Sequence, residues 1–248
     1  MTNPSLLNKT SQLFALIVFL SAVTFPAKAA TFNEFLPQAD AFLKAYVKNG
    51  SVAYRIIHQN PAEIETLYKM LGEVSLAGTT ESDKKAFYIN AYNLVVIYWV
   101  TKHYPLKSPL DDSGFFDKIK HKVAGEDMTL NSLEIKKLLL PYKDGRLHFA
   151  LACAAKSCPP LASFAYLPAK LEGQLNERTI KAINDSEWIK IDKVKKTVAL
   201  SKIFEWYKGD FTQNGKTQVD WANQFRKEMI PLSYAVSYYE YDWNLNEM

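Results

Sequence analysis

Both cysteines of the chain and one of its four histidines fall within residues 148–161, HFALACAAKSCPPL. A thiol beside a histidine becomes a nucleophile when its pKa is lowered, with the imidazole taking and returning the proton. Two thiols with four residues between them can instead close a disulfide, either structural or redox-active. Residues 147–152 form a short apolar run that reads as a buried strand. On it His148, Ala150 and Ala152 face one way, and Phe149, Leu151 and Cys153 the other. Cys158 lies beyond the small or flexible residues 154–157, so it is the thiol better able to curl back toward His148. In an enzyme reading Cys158 attacks an acyl carbon or a disulfide sulfur, His148 handles the proton, and Asn90 or Asn93 orients the imidazole. Cys153 is the alternative thiol. The spacing is CxxxxC rather than the CxxC of thioredoxin-like motifs. Cys153, Cys158 and His148 would make three zinc ligands, but no second cluster offers a fourth, so neither a metal nor another cofactor is expected.

A long helix must position this loop. Residues 82–103 are apolar around most of the circumference, with Ser82 as the expected cap, which marks them as a buried central helix. Asn90, Asn93 and Ile97 share one face of it, and buried amides need partners, either a neighbouring loop's backbone or a catalytic group. Amphipathic helices are expected over 32–47, 61–73, 168–184, 202–209 and 219–229, with Gly209 ending the fourth. Asn131 and Glu134 have the spacing of a capping box for a helix to Leu140. Hairpins are expected at 121–123 with 128–130 and at 188–192 with 197–200, and the tail SYYEYDWNLN reads as a final docked strand or extended segment. The expected fold is α+β, a mostly helical single domain around a central buried helix with short strands and hairpins. His58, His103 and His121 read as surface or dipole-facing residues. Asp210 and Asp242 read as partners of backbone or tyrosine groups, with a third catalytic member as the sharper alternative.

Residues 1–29 read as a secretory signal peptide: Lys9 and the amino terminus are positive, 13–23 is apolar, and Ala27-Lys28-Ala29 offers a cleavage site. The globular domain is then 30–248, and a periplasmic or secreted location is expected. The apolar run is too short to span a bilayer, and no membrane span is expected in the mature chain. The whole chain carries 30 basic and 26 acidic residues. Removing Lys9 and Lys28 leaves 28 against 26, too even a balance for a nucleic-acid binder. A small-molecule or peptide-like substrate is the expected partner.

Five ordered blocks resemble the domain of unknown function 547 family: FYINAYNLVVI, TLNSLEIKKLL, HFALACAAKSCPPL, LSKIFEWYKGDF and YDWNLN. The family is found in bacteria and in longer plant proteins. The resemblance implies no agreed reaction, and plant relatives fused to glutaredoxin-like domains associate it with thiol chemistry. The leading expectation is a thiol-dependent Cys-His enzyme performing acyl transfer or hydrolysis on a small peptide-like or amide substrate. The alternatives are a non-enzymatic binding or interaction domain pinned by a structural disulfide, and a dithiol oxidoreductase.

Overall fold

The computed structural model describes residues 31–248; the expected signal peptide lies outside the described residues. Helix Glu81–Lys102 runs through the larger of two apolar cores, with Phe87, Leu94 and Val95 fully buried. Its cap is Thr80 and not Ser82. The Thr80 hydroxyl accepts from the Asp83 amide and the Asp83 carboxylate accepts from the Thr80 amide, closing a capping box, while Ser82, inside the helix, donates to the Pro168 carbonyl. Helices Phe32–Tyr46 and Ala62–Glu73 bury Phe35, Phe42, Ile64, Leu67 and Leu71 in the same core. Hairpin His121–Val123 with Glu126–Met128 docks there through amides of its turn on the Leu71 and Gly72 carbonyls. Replacing Leu94 by alanine should cost about 2–4 kcal/mol by leaving a cavity where no surface can collapse. Chemical denaturation would show it, and a loss under about 1 kcal/mol would mean that the helix is not the packed centre of the fold.

The second core gathers Phe149, Trp188, Val198, Leu200, Phe204 and Phe211. Strand Thr197–Leu200 lies at the middle of a three-stranded sheet, antiparallel to Ile189–Asp192 and parallel to Ala235–Tyr238. Among the described residues no helix is long and apolar enough to cross a membrane.

Four expectations need correction. Residues 147–152 are not a strand: Gly145–Phe149 is a 3-10 helix, with Asp144 capping at the Arg146 amide. Every residue from 147 to 152 is buried, with Leu147 in the first core and Phe149 in the second, so the apolar run reflects burial on all sides rather than one face of a sheet. Asn131 and Glu134 do not form a capping box. Thr129 is the cap, and Leu133–Leu139 is a π-helix; the wider turn is frequent at functional sites. Gly209 does not end its helix. Lys202–Trp206 stops at Tyr207, and Lys208–Phe211 begins a new turn that contains the glycine. Residues 219–229 are helical only to the end of Gln218–Asn223, where the Asn223 side chain turns back to pair with both backbone groups of Ile230.

The carboxyl-terminal segment leaves the sheet and returns to the first core. Its backbone pairs with the cysteine loop, Lys156 donating to Asn244 at 2.8 Å, Ser157 to Asp242 at 3.1 Å and Asn246 to Ala154 at 2.9 Å. The Tyr54 hydroxyl donates to Asn246 Oδ1 at 3.0 Å. Asp242 thereby braces this turn, also accepting from the Asn244 amide.

Candidate functional site

The loop that carries the cysteines sits at the seam between the two cores. Asn93, on the central helix, holds it: its Nδ2 donates to the Ala150 carbonyl and its Oδ1 accepts from the Ala152 amide, both at 2.9 Å. Asn90 makes the same two-point grip at 2.8 Å on Tyr166, beyond the loop. Neither amide reaches His148. At the loop's start Lys85 and Arg146 both bond Asp144 at 2.7 Å. Burial alone would raise the Asp144 carboxyl, but hydrogen bonds and charge from Arg146 and Lys85 overcome it and hold it at about 2. On the far side Gly50, at φ +89°, lets the backbone pass so close to Pro160 that a β-carbon would overlap it.

Cys153 and Cys158 form a disulfide, with Cα atoms 6.0 Å apart. The two sulfurs differ in environment. Cys158 is 4% exposed, whereas Cys153 is half-buried. The Cys153 amide donates to Cys158 Sγ at 2.8 Å, and the Tyr241 hydroxyl lies 3.2 Å from each sulfur. Ala154, between them, is held in the left-handed region at φ 64°, a conformation that costs a non-glycine residue about 1 kcal/mol or more.

His148 meets neither sulfur. Its Nε2 donates to the Asp210 carboxylate at 2.7 Å, and its ring packs on Tyr207 with centroids 4.2 Å apart. The imidazole is thus oriented by Asp210; of the two readings of the amides, Asn90 and Asn93 follow the one in which they hold loop backbone, not the one in which they orient a catalytic group. His148 and both cysteines nevertheless line one cavity of about 320 Å³. Glu134 forms part of its wall, and the Tyr207 hydroxyl donates to that carboxylate at 2.8 Å. Burial first, and the Glu134 carboxylate second, push the Tyr92 and Tyr207 phenols well above their ordinary range. Burial does the same for Tyr241, so all three remain proton donors. Trp206, Tyr241 and Trp243 make an aromatic wall, with Trp206 and Trp243 stacked at 5.9 Å. Asp210 also lines a second, polar cavity of about 430 Å³.

Sequence reasoning placed His148, Cys153 and Cys158 together, treated Glu134 as a capping residue, and read Asp210 as a partner of backbone or tyrosine groups with a third catalytic member as the alternative. Trp206, Tyr207, Tyr241 and Trp243 it did not single out as site residues. Their signal was present: Asp210 and Tyr207 lie in LSKIFEWYKGDF, and Tyr241 and Trp243 in YDWNLN. His121, expected at the surface, is buried instead, because the hairpin that carries it is laid against helix Ala62–Glu73. Among the described residues no three His, Cys, Asp or Glu side chains stand together in a way that could hold a metal ion.

Fold and site together define a mostly helical α+β domain with a disulfide set in the wall of an aromatic cavity. The model of the family described as "Protein of unknown function, DUF547" matches residues 76–181, which supports the resemblance that the sequence blocks carry. It takes in the central helix, Glu134, His148 and both cysteines, and leaves Tyr207, Asp210, Tyr241 and Trp243 outside. No curated protein and no solved structure matches the chain.

Proposed function

We propose that the protein is a dithiol–disulfide oxidoreductase acting on small thiols or disulfides in an exported compartment. One observation carries the reading: the disulfide lines the cavity and is asymmetric, Cys153 being the more exposed residue and Cys158 Sγ the sulfur that accepts from a backbone amide. Exchange needs an attackable sulfur and a stabilised leaving thiolate. A substrate thiolate attacks Cys153 Sγ, its electron pair forms the new S–S bond, and the Cys153–Cys158 bond breaks with its pair left on Cys158. The Cys153 amide and the Tyr241 hydroxyl stabilise that thiolate. A second substrate thiolate attacks the substrate sulfur of the mixed disulfide, releasing the substrate disulfide and the Cys153 thiolate. The two substrate protons end on the protein dithiol, one on each cysteine sulfur.

Equilibration in dithiothreitol redox buffers, read by alkylation and mass, tests this. The expected midpoint lies above about −270 mV, whereas a structural bond lies below about −300 mV. Cys158→Ser should accumulate a mixed disulfide on Cys153 with a small thiol, and Cys153→Ser should accumulate far less on Cys158. A midpoint in the structural range, or trapping of equal extent in both variants, defeats the proposal.

The His148–Asp210 pair favours a second reading, because it supplies the base and its orienting carboxylate for thiol-based acyl transfer by the reduced form. Amide or thioester hydrolysis by the reduced protein alone, lost in His148→Ala, would favour that reading over exchange.

A further inference from the structure

We propose that the cavity selects organic cations, so that its preferred thiol partner is an aminothiol or a related ammonium-bearing compound and not a carboxylate-bearing thiol. The inference names a substrate class for the exchange reaction and rests on that reading for its redox part only. Three observations carry it. The cavity's aromatic residues are Tyr92, Phe116, Trp206, Tyr207, Tyr241 and Trp243, and the faces of such rings attract cations, tryptophan most strongly. A carboxylate, Glu134, is buried in the same wall and is oriented by Tyr207. Among the described residues no lysine or arginine lines the cavity and its one histidine, His148, is already engaged by Asp210, so an entering carboxylate or phosphate would lie close to Glu134 with no free cationic partner.

The geometry also orders the ligand. Trp206 is 48% exposed at the mouth, whereas Glu134, Tyr92 and Cys158 are buried. A cation therefore meets the aromatic wall first and the carboxylate afterwards, losing water in stages rather than at once. This arrangement favours a diffuse, weakly hydrated ammonium over a compact metal ion. The hydroxyls of Tyr207 and Tyr241 already donate to Glu134 and to the disulfide, so they offer an entering anion no free donor.

The test uses three probes of similar size at pH 7, benzyltrimethylammonium, benzyl alcohol and phenylacetate, titrated calorimetrically into the oxidised protein and into the Cys153→Ser/Cys158→Ser variant. The cation should bind about ten-fold more tightly than either other probe. Glu134→Gln should cut that preference to about three-fold or less, and Trp206→Leu, at a half-exposed position, should weaken the cation alone. Equal or tighter binding of phenylacetate, or a cation preference that survives both substitutions, overturns the proposal. In a parallel assay, reduction of the disulfide by cysteamine should outpace reduction by thioglycolate in the native protein and lose that advantage in Glu134→Gln. Cation binding that persists in a protein whose disulfide resists both reductants would remove the exchange reaction and leave the cation site standing.

Discussion

Asn93→Leu is expected to lower the stability of the native protein by about 2–6 kcal/mol while leaving the central helix formed. The two backbone groups that Asn93 satisfies, the Ala150 carbonyl and the Ala152 amide, are buried with it. Leucine has neither a donor nor an acceptor, so both groups would be stranded, at about 1–3 kcal/mol each. Leucine's better helix propensity returns only a few tenths of a kcal/mol. The loss should be local in its consequences, with amide exchange at Ala152 rising and the disulfide becoming easier to reduce. Asn90→Leu should cost a comparable amount and free Tyr166 instead. Denaturant unfolding with residue-resolved exchange reads both. A loss under about 1 kcal/mol for Asn93→Leu, with Ala152 still protected, would show that another group can take over the grip.

Acidification from pH 6.5 to 4 is expected to remove about 3 kcal/mol of stability through His121 alone. Burial lowers its pKa from 6.5 to about 4. The Tyr68 hydroxyl donates to its Nδ1 at 3.0 Å, Trp99 packs nearly perpendicular at 5.2 Å, and Nε2 has no hydrogen-bond partner among the described residues. The folded protein therefore keeps this ring neutral, whereas the unfolded chain protonates it below pH 6.5. Across that window the unfolded state binds more protons, so stability falls as pH falls, and the effect is complete once the folded ring itself titrates near pH 4. Asp144 acts lower, its contribution being lost as pH drops from about 3.8 through about 2. Unfolding free energies from pH 4 to 7 should show a steep limb in the native protein and a flatter one in His121→Phe. Parallel curves would remove His121 as the cause.

What could be read from the chain followed the strength of local signals. Hairpin partners at 121–128 and 189–200 were legible because strand-forming runs flank short turn segments, although the first pairs at Glu126–Met128, slightly earlier than expected. The central helix was legible because its apolar residues cover most of its circumference. Residues 147–152 misled because burial against two separate cores looks, in one dimension, like a buried strand. Glu134 misled because a helical start with Asn131 three residues ahead mimics a capping box, while the π-helix that turns the carboxylate into the cavity has no local signature. The partners of Tyr241 and Asp210 were out of reach for another reason. Each meets the loop across a long stretch of chain, 83 residues from Tyr241 to Cys158 and 62 from Asp210 to His148, and no pattern along the chain encodes such a pairing.

The returning carboxyl-terminal segment also bears on the order in which the molecule is assembled. The Tyr54–Asn246 hydrogen bond joins groups 192 residues apart, and bringing such distant points together carries a loop-closure entropy that grows with the logarithm of the separation. The helices of the first core, by contrast, pack mostly on near neighbours in the chain. Contacts of the second kind form early and those of the first kind late, so the core around the central helix can be in place while the cavity still lacks Tyr241 and Trp243. A chain emerging in order would thus be able to build the core around its central helix before residues 242–246 can pair with the cysteine loop.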